Sequence, residues 1–289
     1  MKKVISLILC VLMLGSCMAF ADAIEGSRTV IGSDLDADDI AYVYKEFGIS
    51  RGDVKELTVT NAEEREYLKG LVDESLIGTK SISCVYIEAL DEGKGLDVQV
   101  KNITWCTPDM YMNAMVTAGI TDANVRIVAP FDVSGTAALT GIYKAYEDIT
   151  GKKLDEDAKL VGTQELTVTA ELAEEIGSTD SAAIVNQLKL ILDETKDMTD
   201  DELREEIKKI AEKYDVTLTD SQIDSLISLC RSMEKLDTAA LKEKVEQVQK
   251  YLKDIVSKQG EIKQFLSNVA DTVTEFVNKV VSFIRGIFG

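Results

Sequence analysis

The hydrophobic rhythm of the chain changes twice. Up to about residue 150, short β-branched runs alternate with amphipathic stretches. Arg28 to Gly32 predicts a strand, and Val54 to Thr60 a second one with Leu57 and Val59 on the same side. Between them Asp36 is placed to cap a helix with Asp39 three residues on, an apolar stripe of Ile40, Val43, Tyr44 and Phe47, and Gly48 at its end. Asn61 reads as the cap of the next helix, with Glu64 as its third-position acid. Lys80 to Leu90 and Leu96 to Thr104 read as a hairpin across Asp91-Glu92-Gly93-Lys94-Gly95. Its second arm alternates Leu96, Val98 and Val100 with Asp97, Gln99 and Lys101, the pattern of an antiparallel strand with one wet face. Thr107 and Pro108 open a helix that Gly119 closes. Val125 to Ala129 is a strand, and Ser134 opens a helix to about Thr150. The order β-α-β-α-β-β-α-β-α predicts an α+β fold, a mixed-sheet α/β-type N-terminal domain.

Past Thr150 the strand signals stop. Gln164 to Glu175, Ser181 to Glu194, Asp200 to Tyr214 and Ser221 to Lys235 carry helical periodicity, the last capped by Thr219 or Asp220. They form an all-helical region, either a second domain or a cover on the first. From Leu241 the spacing tightens again. Leu241, Val245, Val248, Leu252, Ile255, Ile262, Leu266, Val269, Val273, Phe276, Val280, Phe283 and Ile287 alternate steps of four and three, with Gln259 the one polar member. That is a seam of period 3.5. An uninterrupted helix would be about 70 Å long, while Gly260 beside Gln259 would split it into a helix pair. The expected divisions are residues 1–23, 24–150, 151–240 and 241–289.

The first of these is a secretory leader. Lys2 and Lys3 precede the apolar run Val4 to Leu14, and Ala21-Asp22-Ala23 is an A-x-A processing site. The run is too short to span a bilayer, which takes about 20 apolar residues. Leu14-Gly15-Ser16-Cys17 also has the form of a lipobox, so lipid anchoring at Cys17 is the alternative to release after Ala23. The expectation is an exported protein, secreted or associated with the cell envelope.

Without its leader the chain moves from a net charge of −19 to −20. Residues 24–150 and 151–240 each carry −11, whereas 241–289 carry +2. Such an acidic body repels phosphate backbones and argues against nucleic acid as a partner. Histidine is absent from the chain, which removes Ser-His-Asp and Cys-His catalysis and every His-containing zinc site. Of five cysteines, Cys10 and Cys17 lie in the leader. Cys84, Cys106 and Cys230 remain, as buried thiols or with one Cys84–Cys106 bridge.

Candidate chemistry is sparse. Asp34, Asp36 and Asp38, with Asp39 beside them, start like a calcium loop. The glycine and glutamate that would complete it are replaced by Asp39 and Lys45, so helix capping explains the cluster, with weak calcium binding at Asp34, Asp36 and Asp38 as the alternative. Ser134, Gly135 and Thr136 follow a strand and open a helix, where backbone N–H groups and two hydroxyls can hold an anion, or simply cap the helix. The stretch matches neither a phosphate-binding Walker loop nor a nucleophile elbow. Ser232-Met233-Glu234-Lys235 spells S-x-x-K without its companion motifs. No cofactor is implied.

Ala129-Pro130-Phe131-Asp132-Val133-Ser134-Gly135-Thr136-Ala137-Ala138-Leu139-Thr140-Gly141 occurs together with Val59-Thr60-Asn61, Ile77-Gly78, Met115-Val116-Thr117-Ala118-Gly119 and Leu218-Thr219-Asp220-Ser221-Gln222. In this combination the chain resembles the YpuA-like proteins, exported and mostly Gram-positive bacterial proteins that form domain of unknown function family 1002. The resemblance spans most of the mature chain, excludes the tail seam, and carries no catalytic residue. It implies export and a bacterial source. The functional expectation is a non-enzymatic binding or scaffolding protein. Its C-terminal helices, through Phe276, Val280, Phe283, Ile284 and Phe288, would engage a protein partner, a second copy or a membrane surface. The alternatives are a secreted hydrolase using carboxylates or Ser134, and a membrane-active protein acting through its last helix.

Overall fold

Five strands share one sheet among the residues described by the computed structural model, 26–71 and 77–250. They are β1 (Ser27–Gly32), β2 (Lys55–Val59), β3 (Cys84–Ala89), β4 (Leu96–Ile103) and β5 (Ala123–Val133), in the spatial order β2-β1-β3-β5-β4. β1 is parallel to β2 and β4 to β5, while β3 runs antiparallel to both of its neighbours, β1 and β5. Four strands therefore point one way and the central one opposes them.

This order overturns the expected hairpin. β5 lies between β3 and β4, with Ala123 paired to Ala89 on one side and to Leu96 on the other. The polar loop does not turn back on β3; it steps over the start of β5. Gly95 N–H donates to Asp122 Oδ1 at 2.7 Å, Leu90 N–H to the Asp122 carbonyl at 3.1 Å, and Ala123 N–H to the Gly95 carbonyl at 3.0 Å. The half-buried alternation of β4 is real, but it belongs to a parallel edge strand, and an edge strand shows the same pattern as a hairpin arm.

The helices of this part are α1 (Ala37–Phe47), α2 (Asn61–Leu68), α3 (Pro108–Ala118) and α4 (Thr136–Thr150). Asp36 caps α1, accepting from the N–H groups of Asp38 and Asp39, and left-handed Gly48 ends it, as the pattern predicts. At α2 the reading is off by one residue. Thr60 is the cap and Glu63 completes the box, so Asn61 is already helical and Glu64 points inward. At α4, Gly135 occupies the cap position with φ +95° in place of Ser134.

Alternation along the strands sends side chains to two layers. Ile31, Cys84 and Val128 pack on Val43, Tyr44 and Phe47 of α1. On the other face Val30 and Val85 lie against Gly141 of α4. α3 covers β4 on its way to β5.

The helical region continues with α5 (Glu156–Ile176), α6 (Ser178–Leu190), α7 (Leu192–Thr195), α8 (Asp200–Glu212) and α9 (Asp220–Met233), followed by helical residues 238–250. α5 starts earlier than its periodicity suggests because Asp155 caps it through the Ala158 N–H. The stretch expected to run unbroken to Glu194 divides at Ile191. Gly162 allows α5 to reach the preceding layer, since a Cβ there would stand 2.7 Å from both the Ala114 carbonyl and the Tyr143 hydroxyl. α5 and α6 stack on α3 and share a buried ion pair between Glu165 and Lys189. Among the described residues, those up to Glu246 make one compact unit.

Candidate functional site

The parallel strands β1 and β5 flank β3, and their following helices leave toward opposite faces of the sheet. In open α/β sheets such a divergence opens a crevice beyond the carboxyl ends of the strands. A cleft of about 320 Å³ lies here. One wall is the segment leading into β3, from Ile77 to Ser83. The opposite wall is Val133 to Ala137, the turn from β5 into α4. Glu64 of α2 contributes a carboxyl.

Each wall is held in place by hydrogen bonds. Asp34 Oδ2 accepts from the Ser81 N–H at 2.8 Å, and Arg65 donates to the Gly78 carbonyl at 2.6 Å and to Asn61 Oδ1 at 2.8 Å. The Cys106 N–H donates to the Ser134 carbonyl at 3.2 Å, and the buried Tyr111 hydroxyl to the Gly135 carbonyl at 2.6 Å. Only glycine suits position 135. Its φ is left-handed, and a Cβ would stand 2.5 Å from both Ile103 Cγ2 and the Tyr111 hydroxyl.

Glu64 is the unusual group. It is 1% exposed. Thr136 Oγ1 donates to its Oε1 at 2.5 Å, and Asn61 Nδ2 to its Oε2 at 3.3 Å. Burial pushes its pKa up to about 7, against the stabilising hydrogen bonds from Thr136 and Asn61 and the charge of Arg65. Ser134 Oγ lies 3.4 Å from Thr136 Oγ1, so two hydroxyls and a carboxyl form one polar row along the cleft. Lys80, exposed, lines the same cleft. Beside the row, burial raises the Cys106 thiol to about 12 and also raises the Tyr111 phenol.

Ser134, Gly135 and Thr136 thus come together in one cleft. The sequence pattern missed Glu64 as a site residue, having assigned it to capping. Reading T-x-x-E from Thr60 gives Glu63 as the box residue and leaves Glu64 on the inward face with Leu68, four residues on. The aspartates at the start of α1 do not converge. Asp36 accepts from its own helix and Asp34 from Ser81 and Ser33. Among the described residues no group of three His, Cys, Asp or Glu side chains is placed to hold a metal ion. Cys84 and Cys106 are both free and buried. Phe276, Val280, Phe283, Ile284 and Phe288 lie outside the described residues. No described helix is long and apolar enough to cross a membrane.

The family described as "Protein of unknown function (DUF1002)" matches residues 31–255. The uncharacterized protein YpuA of Bacillus subtilis (strain 168) is 36% identical over 275 residues, covering 93% of each chain. No solved structure matches.

Proposed function

The chain belongs to the DUF1002 family of proteins of unknown function, and from that membership we propose that it is an exported bacterial envelope protein that binds a small polar ligand without converting it. The observation that carries the reading is the Glu64–Thr136–Ser134 row lining a cleft at the carboxyl end of β5. A pocket of this size with a few convergent polar groups suits a small ligand. Export rests on the leader pattern, with anchoring at Cys17 as its variant. The C-terminal seam, including Phe276, Val280, Phe283, Ile284 and Phe288, serves as the contact face for a partner helix, a second copy or a membrane surface.

The hydrolase reading draws on the same residues, because a carboxyl titrating near neutrality beside a hydroxyl has the makings of a general base. Two features weigh against it. The Thr136 hydroxyl is buried and already donates to Glu64, and Ser134 is too far from Glu64's partner for a strong hydrogen bond.

Expression of the full chain in a Gram-positive host, with fractionation and mass measurement of the mature N-terminus, tests the address. Cleavage after Ala23 or a lipidated Cys17 supports export, and an uncleaved cytoplasmic chain overturns it. Native mass spectrometry of the mature protein with low-mass envelope extract tests binding. A retained ligand that Ser134→Trp abolishes supports the cleft, and an intact ligand in that variant removes it. Release of a chemically altered ligand favours the hydrolase.

A further inference from the structure

The cleft carries charge of both signs. Glu64 supplies a buried carboxyl held against Thr136 at the start of α4, while the opposite wall offers the exposed ammonium of Lys80. A purely anionic ligand would bring its charge against Glu64, and a purely cationic one against Lys80. Arg65, the other base close to Glu64, is engaged with Asn61 and Gly78. Ile77, Ile82 and Val133 give the cleft an aliphatic surface. None of the described lining residues is aromatic, so there is no ring on which a sugar face would stack.

We propose that the cleft takes a zwitterionic ligand of amino-acid to dipeptide size, its ammonium against Glu64 and its carboxylate toward Lys80. This deepens the binding reading above and rests on it. Thr136 and Asn61, donating to the two oxygens of Glu64, orient the carboxylate for the incoming ammonium, and Ser134 adds an oxygen acceptor close by. An ammonium also adds to the positive charge that Arg65 brings to buried Glu64, which further offsets the cost of ionising it.

The test uses the mature full chain and three probes, followed by amide NMR and calorimetric titration. The probes are alanylalanine, N-acetyl-alanylalanine, which lacks the ammonium, and alanylalanine amide, which lacks the carboxylate. The expected result is saturable binding of alanylalanine with shifts at Ser134 to Ala137, weakened at least tenfold by either cap. Glu64→Gln should weaken the free dipeptide at least tenfold and leave the N-acetyl form unaffected, whereas Lys80→Ala should do the converse with the amide. Equal binding of all three probes, or no binding of the free dipeptide, overturns the proposal. Inorganic phosphate and N-acetylglucosamine serve as comparison probes. If one of them shifts the cleft resonances when the dipeptide does not, the zwitterion is wrong and the binding cleft stands. If none of the probes moves those resonances and envelope extract leaves them unmoved as well, both readings fall. Should Glu64→Gln lose its folded spectrum, the capped probes and exposed Lys80→Ala still decide the matter.

Discussion

Lys189 Nζ sits 2.5 Å from Glu165 Oε1, and both side chains are fully shielded from water. Thr117 Oγ1 donates to the other carboxylate oxygen at 2.5 Å, and Lys189 donates to the Asn113 carbonyl at 2.9 Å. One ion pair therefore joins α3, α5 and α6. Removing a single partner leaves a buried charge, so Lys189→Met should cost about 3–5 kcal/mol in urea unfolding. The double variant Lys189→Met/Glu165→Leu should recover most of that loss. A double variant as unstable as the single one would show that the pair acts through something other than its charges.

Glu64 sets a pH dependence whose sign is opposite to that of a salt-bridged acid. Its pKa rises from 4.5 to about 7 on folding, so between those values the folded chain holds a proton that the unfolded chain has released. The stability associated with this group therefore declines as pH rises from about 4.5 through 7, by roughly 3 kcal/mol in full. Glu56, Glu63, Glu147 and Asp148 are shifted downward and act at lower pH, which makes the comparison with Glu64→Gln the informative one. The glutamine variant should gain stability over the parent from pH 5 to about pH 7 and then level off toward pH 8 in thermal melts. Parallel pH curves for the two proteins would remove the shift.

Gly135→Ala should destabilise the chain by about 3 kcal/mol, combining left-handed strain with overpacking against Ile103 and Tyr111. Gly151, also left-handed but with nothing within 4 Å of its Cβ position, provides the control. Its alanine variant should cost only about 1 kcal/mol, from strain alone. Equal losses by chemical denaturation would contradict the crowding at residue 135.

The thiols should be inert. Burial raises Cys84 and Cys106 to about 12 and Cys230 to about 11. Because the thiolate is the reactive form, iodoacetamide at pH 8 should leave all three unmodified in the native protein and label all three in urea, as read by intact mass. Rapid native labelling of any one would place it outside the core.

The elements were legible in the sequence wherever a periodicity and a cap coincided, as at Asp36 with Gly48 and at Thr219 before α9. Strand neighbours were not. Leu96, Val98, Asp97 and Gln99 record which face of β4 is wet, and nothing in that alternation records which strand lies alongside. Pairing is fixed by Asp122, buried at the start of β5, which gathers the loop from Leu90 to Gly95 across 27 positions of separation. The cleft was half visible. Ser134, Gly135 and Thr136 are contiguous, but Glu64 lies 72 residues from its partner Thr136, and only a single-residue shift in a capping box marks it as inward-facing.

The antiparallel centre of the sheet has a consequence for the order of events during synthesis. β3 is complete by Ala89, yet one of its two hydrogen-bonding edges stays vacant until Val128 has been made, because its second neighbour is β5 and not the intervening β4. A nascent chain that stalls anywhere between these points displays the open edge of what will become the innermost strand, with Val85 and Ile87 on it. Such an edge is a template for intermolecular strand addition. The interval from residue 89 to residue 128 is thus a stretch of synthesis exposed to aggregation, in which a holding chaperone has an open strand edge to protect.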